Sequence, residues 1–341
     1  MSDQNNIEPF IRRRAMRPSR RTWIKHAALL LITIITCTVA GIIYPFGPLL
    51  FFDGLDSDTT LSATQIIFSL PNEYGKLIAS AVTLLFTKPD VFQYGISFSL
   101  SVLFILTSHE AGHYIACRIY GVDATLPYFL PTPPLIGPAG TLGAFIKIVS
   151  PMPSRRAVFD IGVAGPIAGF IALIPIALIA VFTMHSAPAV TIRPDDVQLV
   201  FADPLLMRLF AFIAGLDLAA PVYSNPFYNA AWVGFLVTAL NLIPSGQLDG
   251  GHAVYAALGE RVHYWTGRVA FVLMALLSVA GLYFYGSPSG FLFAVILAIM
   301  MRIRHPEPFD NTPLDPKRKV IAVLTLLIFL LCFMPFPIQL R

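Results

Sequence analysis

Long apolar runs separated by short polar stretches dominate the chain. Runs at about 24–44, 91–120, 158–184, 227–258, 269–285, 291–301 and 320–336 predict helices that cross, or nearly cross, a membrane. About 20 apolar residues at a rise of about 1.5 Å cover a hydrocarbon core of about 30 Å. The run at 291–301 is short for a crossing, and Gly286-Ser287-Pro288-Ser289-Gly290 joins it to its predecessor as a hairpin. A further run at 76–86 is too short to cross and is expected at the surface or packed on the bundle. The polar stretch 186–224 is too small for most independent domains.

Composition agrees with this pattern. The 341 residues are 56% hydrophobic and 12% charged, with a mean hydropathy of +0.72, whereas a soluble domain carries about 25% charged residues. A net charge of +4 makes no case for nucleic acid. Cys37, Cys117 and Cys332 are far apart in apolar surroundings and read as small buried hydrophobes. Charge also orients the chain. Seven basic residues (Arg12, Arg13, Arg14, Arg17, Arg20, Arg21 and Lys25) precede or open the first run and anchor it on the cytoplasmic side. With seven crossings, 18 basic residues fall inside and 5 outside (Lys76, Lys88, Arg193, Arg208 and Arg341). That bias supports a cytoplasmic N-terminus.

Inside the second run stands His109-Glu110-Ala111-Gly112-His113. Ionisable groups within a membrane span are expensive and mark function. At i and i+4 on a helix, two imidazoles share one face and can hold one zinc ion, with Glu110 beside them to act on water. His109 lies 13 residues beyond Ile96, about 20 Å into the span and nearer the cytoplasm. Catalytic zinc takes three protein ligands. The third is sought in Asn241-Leu242-Ile243-Pro244-Ser245-Gly246-Gln247-Leu248-Asp249-Gly250-Gly251-His252, where Pro244, Gly246 and Gly250 break the fourth run. Asp249 and His252 both qualify by type. His26, His185, His263 and His305 lie at span ends, where solvated or interfacial histidines are ordinary.

Two further segments flank this chemistry. The stretch 127–153 holds Pro127, Pro131, Pro133, Pro134 and Pro138 with several glycines, then a strand-like Ala144-Phe145-Ile146-Lys147-Ile148-Val149. It predicts a hairpin or re-entrant segment whose edge can pair with an extended peptide. Gly165-Pro166-Ile167-Ala168-Gly169 allows close helix contact, for which packing alone is sufficient reason.

Together these motifs resemble the site-2 protease family of intramembrane zinc metalloproteases, in its bacterial and chloroplast branch without a PDZ domain. The resemblance rests on His109-Glu110-x-x-His113, Gly165-Pro166-x-Ala168-Gly169, Asn241-x-x-Pro244 with Asp249-Gly250, and the stretch 140–156. It covers about residues 91–258. It implies one Zn2+ per chain held by His109, His113 and Asp249, with Glu110 as the catalytic base activating zinc-bound water. It also implies that Asn241 binds substrate. Implied partners are a lipid bilayer, a single-span membrane protein as substrate and an upstream site-1-type protease, and no nucleic acid. The implied location is a bacterial inner membrane.

The fold class expected is an all-α polytopic membrane protein of about six to seven transmembrane helices. A short re-entrant or β-hairpin segment lies between the two zinc-ligand helices. Residues 1–23 form a basic cytoplasmic segment, 24–90 a first helix and outer loop, 91–258 the metalloprotease core and 259–341 the C-terminal helices. A transporter would spread polar residues along several spans or repeats. Here they concentrate in two segments, and with Glu110 and every ligand position intact the chain also does not read as a catalytically dead relative.

Overall fold

The computed structural model describes residues 17–49, 63–137, 139–186, 199–218, 222–223, 225–303 and 305–340. Arg12, Arg13, Arg14, Pro138, Arg193 and Arg341 of the sequence reading lie outside those residues.

The chain is mostly helical, and among the described residues four helices are long and apolar enough to cross a membrane. They are α1 (Arg20–Ile42), α3 (Pro89–Ile119), α4 (Arg155–Thr183) and α8 (Glu260–Tyr285). Their starts are written in the sequence. The Ser19 hydroxyl accepts from the Thr22 N–H at 3.2 Å, and that of Ser154 from the Ala157 N–H at 3.1 Å. In α3, Pro89 and Asp90 open the first turn and Arg118 closes the last, which suits the helix dipole.

The structure sets the bounds of the remaining runs. The fourth run divides into α6 (Pro226–Asn241) and α7 (Asp249–Leu258), with residues 242–248 non-helical between them. The run at 291–301 becomes α9 (Ser289–Met300), whose 12 residues span about 18 Å, and the last run becomes α10 (Pro316–Cys332). The short run at 76–86 belongs to a 25-residue helix, α2 (Ala63–Thr87), which continues through Pro71. It packs on the bundle as expected, through Leu77 and Ala81 against Val39, Ile42 and Ile43 of α1.

Between α3 and α4, β1 (Tyr128–Pro131) and β2 (Thr141–Phe145) pair antiparallel, Tyr128 opposite Phe145 and Phe129 opposite Ala144. The hairpin runs along α1. His26 Nδ1 bonds the Pro127 carbonyl at 2.7 Å, and the Thr36 hydroxyl donates to the Gly140 carbonyl at 2.7 Å. Those two anchors are ten residues, about 15 Å, apart on the helix axis. Within 186–224, β3 (His185–Ser186) pairs β5 (Val222–Tyr223), α5 (Leu205–Ala214) packs on α4, and β4 (Leu199–Phe201) pairs β6 (Ile338–Leu340).

The histidines at span ends are not all solvated. His26 and His263 are buried, and one ring nitrogen of each bonds a carbonyl: Pro127 for His26 Nδ1 and Gly246, at 2.9 Å, for His263 Nε2. His185 is exposed as expected.

One polar cluster ties three helices together. Arg318 of α10 donates through Nη2 and Nε to Asp160 of α4 at 2.5 and 2.9 Å, while the Tyr120 hydroxyl at the end of α3 donates to the same carboxylate at 2.5 Å. Arg318 also pairs with Asp315. We expect Asp160→Asn to cost about 1–2 kcal/mol, since charge-assisted bonds are strong but this pair is partly exposed. A lowered unfolding midpoint in detergent checks this, and an unchanged midpoint contradicts it.

Candidate metal centre

Helical periodicity puts His109 and His113 on one face of α3, their Nε2 atoms 3.1 Å apart and their rings edge to face. Asp249, the first residue of α7, meets both. Its Oδ2 lies 3.2 Å from His109 Nε2 and its Oδ1 3.4 Å from His113 Nε2. The ligand atoms of these three residues all lie within 4.8 Å of one another.

His113 and Asp249 are aimed by their surroundings. His113 Nδ1 is 2.7 Å from the Ile161 carbonyl of α4. An N–H there leaves the Nε2 lone pair facing the other two residues, as metal-ligating imidazoles require. Asp249 is brought in by the break after α6. Gly250 lets α7 fold back on the preceding segment, because a Cβ there would sit 2.1 Å from the Leu242 carbonyl oxygen. Arg155 Nε donates to the Ala256 carbonyl at 2.6 Å and fastens the far end of α7 to α4. Two buried imidazoles and a partly buried carboxylate converge, a donor set of the kind that catalytic zinc takes, so the residues fit that ion.

Glu110 is buried and lines the same cavity of about 550 Å³. A backbone hydrogen bond links it to Ile146, the residue after β2, so the hairpin reaches this carboxylate. Residues 144–148 form one wall of the cavity. Asn241, the last residue of α6, places its side-chain Nδ2 3.4 Å from His109 Nε2.

His252, the other third-ligand candidate, stands outside the cluster. It lines the cavity, but its Nδ1 lies 2.6 Å from His305 Nε2, and His305 stacks on Tyr255 with ring centroids 3.8 Å apart. No sequence signal joins residues 53 apart in this way. The Gly165–Gly169 segment does more than pack. A Cβ on Gly165 would meet His113 Nε2 at 2.1 Å, and one on Gly169 would meet His109 Cβ at 3.1 Å. These glycines make room for the two imidazoles.

A helix long and apolar enough to cross a membrane, α3, thus carries two of the three residues of a donor set that could hold a metal ion, and comparison with known proteins gives the family. A profile of peptidase family M50 matches residues 97–282, more than half of the chain, and includes His109, Glu110, His113, Asn241 and Asp249. The chain belongs to that family. Among curated proteins it is similar to "Probable zinc metalloprotease EGY1, chloroplastic" of Arabidopsis thaliana, 28% identical over 304 residues, which are 86% of this chain and 53% of that protein. It is also similar to "Probable zinc metalloprotease EGY2, chloroplastic" of Oryza sativa subsp. indica, 27% identical over 276 residues, 80% of this chain and 48% of that protein. The EGY1 protein of Oryza sativa subsp. japonica is 34% identical over 181 residues, 51% of this chain and 30% of that protein. The chain therefore spans about half the length of these first relatives. No solved structure matches it.

Proposed function

We propose that this protein is an intramembrane zinc metalloendopeptidase that cleaves membrane-anchored proteins in or near their transmembrane segments. The observation that carries the reading is the convergence of His109, His113 and Asp249 beside the buried carboxylate of Glu110. These three residues would hold one Zn2+ per chain. Zinc bound there supplies a Lewis acid that polarises the scissile carbonyl and brings the pKa of a water to about 7. Glu110 takes the proton of the attacking water as the new C–O bond forms, then gives it to the amine nitrogen, and the C–N bond breaks as the amine leaves. Asn241 donates its amide N–H to the substrate carbonyl oxygen. The wall at 144–148 pairs with the unwound substrate as an added strand.

In this reading residues 91–258 are the proteolytic core, residues 1–23 a cytoplasmic anchor, and 24–90 and 259–341 flanking membrane segments. The β1–β2 hairpin re-enters the bilayer along α1, and six to seven segments cross. The 18-to-5 distribution of basic residues, counted over seven crossings, is the support for a cytoplasmic N-terminus; a bacterial inner membrane is the location proposed, while the relatives named above are chloroplastic by name. Substrates are single-span membrane proteins trimmed first by a site-1-type protease.

Two outcomes test the reading. Purified protein should cleave a model transmembrane peptide, lose that activity to a zinc chelator and regain it with added zinc. Chelator-resistant cleavage contradicts the metal assignment. For the orientation, a cysteine replacing Arg156 should react with an impermeant thiol reagent only from the cytoplasmic side, and labelling from the opposite side reverses it.

A further inference from the structure

Arg261, Trp265, Val269, Leu273 and Leu277 recur every four residues along α8 and so form one stripe. The stripe is one side of a groove of about 670 Å³, closed by Pro244 of the segment between α6 and α7, Leu297 of α9, and Phe329 and Phe333 of α10. Its lining offers almost no polar atom, because the Thr266 hydroxyl is turned to the His263 carbonyl at 3.1 Å. Trp265, Val269 and Leu273 are all more than half exposed. Arg261 is exposed at one end and bonds no described residue.

Length and charge decide what fits. From Trp265 to Leu277 the stripe runs about 18 Å, close to the one leaflet that makes up half of a hydrocarbon core of about 30 Å. An acyl chain, narrow and one leaflet long, matches that length. A cation at the end of an apolar slot, beside a tryptophan of the interfacial type, matches a phosphate headgroup. We propose that this groove binds one anionic phospholipid, its acyl chain along Trp265 to Leu277 and its phosphate on Arg261. The bound chain lies against Pro244 and so braces the non-helical segment that leads from Asn241 to Asp249.

The inference goes beyond the proteolytic reading, and its test measures binding alone. The full chain is placed in nanodiscs of phosphatidylcholine containing phosphatidylglycerol with a photoactivatable acyl chain, and cross-linked peptides are mapped by mass spectrometry. Cross-links should concentrate on Leu273 and Phe333 and be competed by unlabelled phosphatidylglycerol but not by phosphatidylcholine. Arg261→Gln should weaken the competition about fivefold, and Leu273→Trp should remove the groove cross-links. Should either variant fail to fold, the competition on the unaltered chain still decides. Cross-links spread without competition over lipid-facing residues such as Leu276, Val279 and Leu324 overturn the proposal. So does occupation of the groove by a transmembrane peptide in place of lipid.

Discussion

Gly165→Ala is expected to lose both zinc and cleavage, although it adds a single methyl group in a residue that neither binds metal nor touches substrate. The new Cβ would stand 2.1, 2.4 and 2.5 Å from His113 Nε2, Cδ2 and Cε1. No rotation of a methyl group relieves that overlap, so the imidazole or the helix must move. The ring is held on its other side by the Ile161 carbonyl at 2.7 Å, on the same helix as Gly165. Displacing it breaks that bond and turns Nε2 away from Asp249. Loss of orienting contacts costs about 10–100-fold in metal affinity, and a misplacement of about 1 Å at a catalytic group costs about 10²-fold in rate. We expect at least a roughly 100-fold fall in kcat/KM together with reduced zinc content. Gly169→Ala, at 3.1 Å from His109 Cβ, should be milder, and Gly75→Ala, with nothing within 4 Å, should be neutral. Full zinc and full activity in Gly165→Ala contradict the part given to this segment.

That result also marks where sequence reading stops. The spacing of His109 and His113 needs only the helical period to become a shared face, so it is legible without a fold. The break before Asp249 is legible for a similar reason, because Pro244 and Gly246 interrupt an apolar run whose other residues would continue a helix. The choice between Asp249 and His252 rested on the family resemblance. In the structure Asp249 stands within 3.4 Å of both imidazoles, whereas His252 is turned to His305. The imidazole room above Gly165 and the Ile161 carbonyl depend on how α3 packs against α4, and no local pattern encodes a contact between two helices. For α2, Pro71, Asn72 and Gly75 resemble a loop. Helix persists there because tertiary packing through Leu77 and Ala81 outweighs weak local propensity.

Glu110 sets the sharpest division between holding the ion and using it. Its carboxylate is not among the three converging donors, yet it is buried in the same cavity and linked to the Ile146 backbone. Glutamine keeps the shape and the capacity for hydrogen bonding but cannot accept the proton of an attacking water. General-base removal costs about 10²–10⁴-fold in rate, while on the proposed reading zinc binding through His109, His113 and Asp249 needs no contribution from Glu110.

The most direct measurement is therefore the zinc content and transmembrane-peptide cleavage of Glu110→Gln beside the unaltered protein, purified in the same detergent. The account predicts equal zinc, near one per chain, and cleavage reduced by at least about 10²-fold. Cleavage equal to that of the unaltered protein contradicts it.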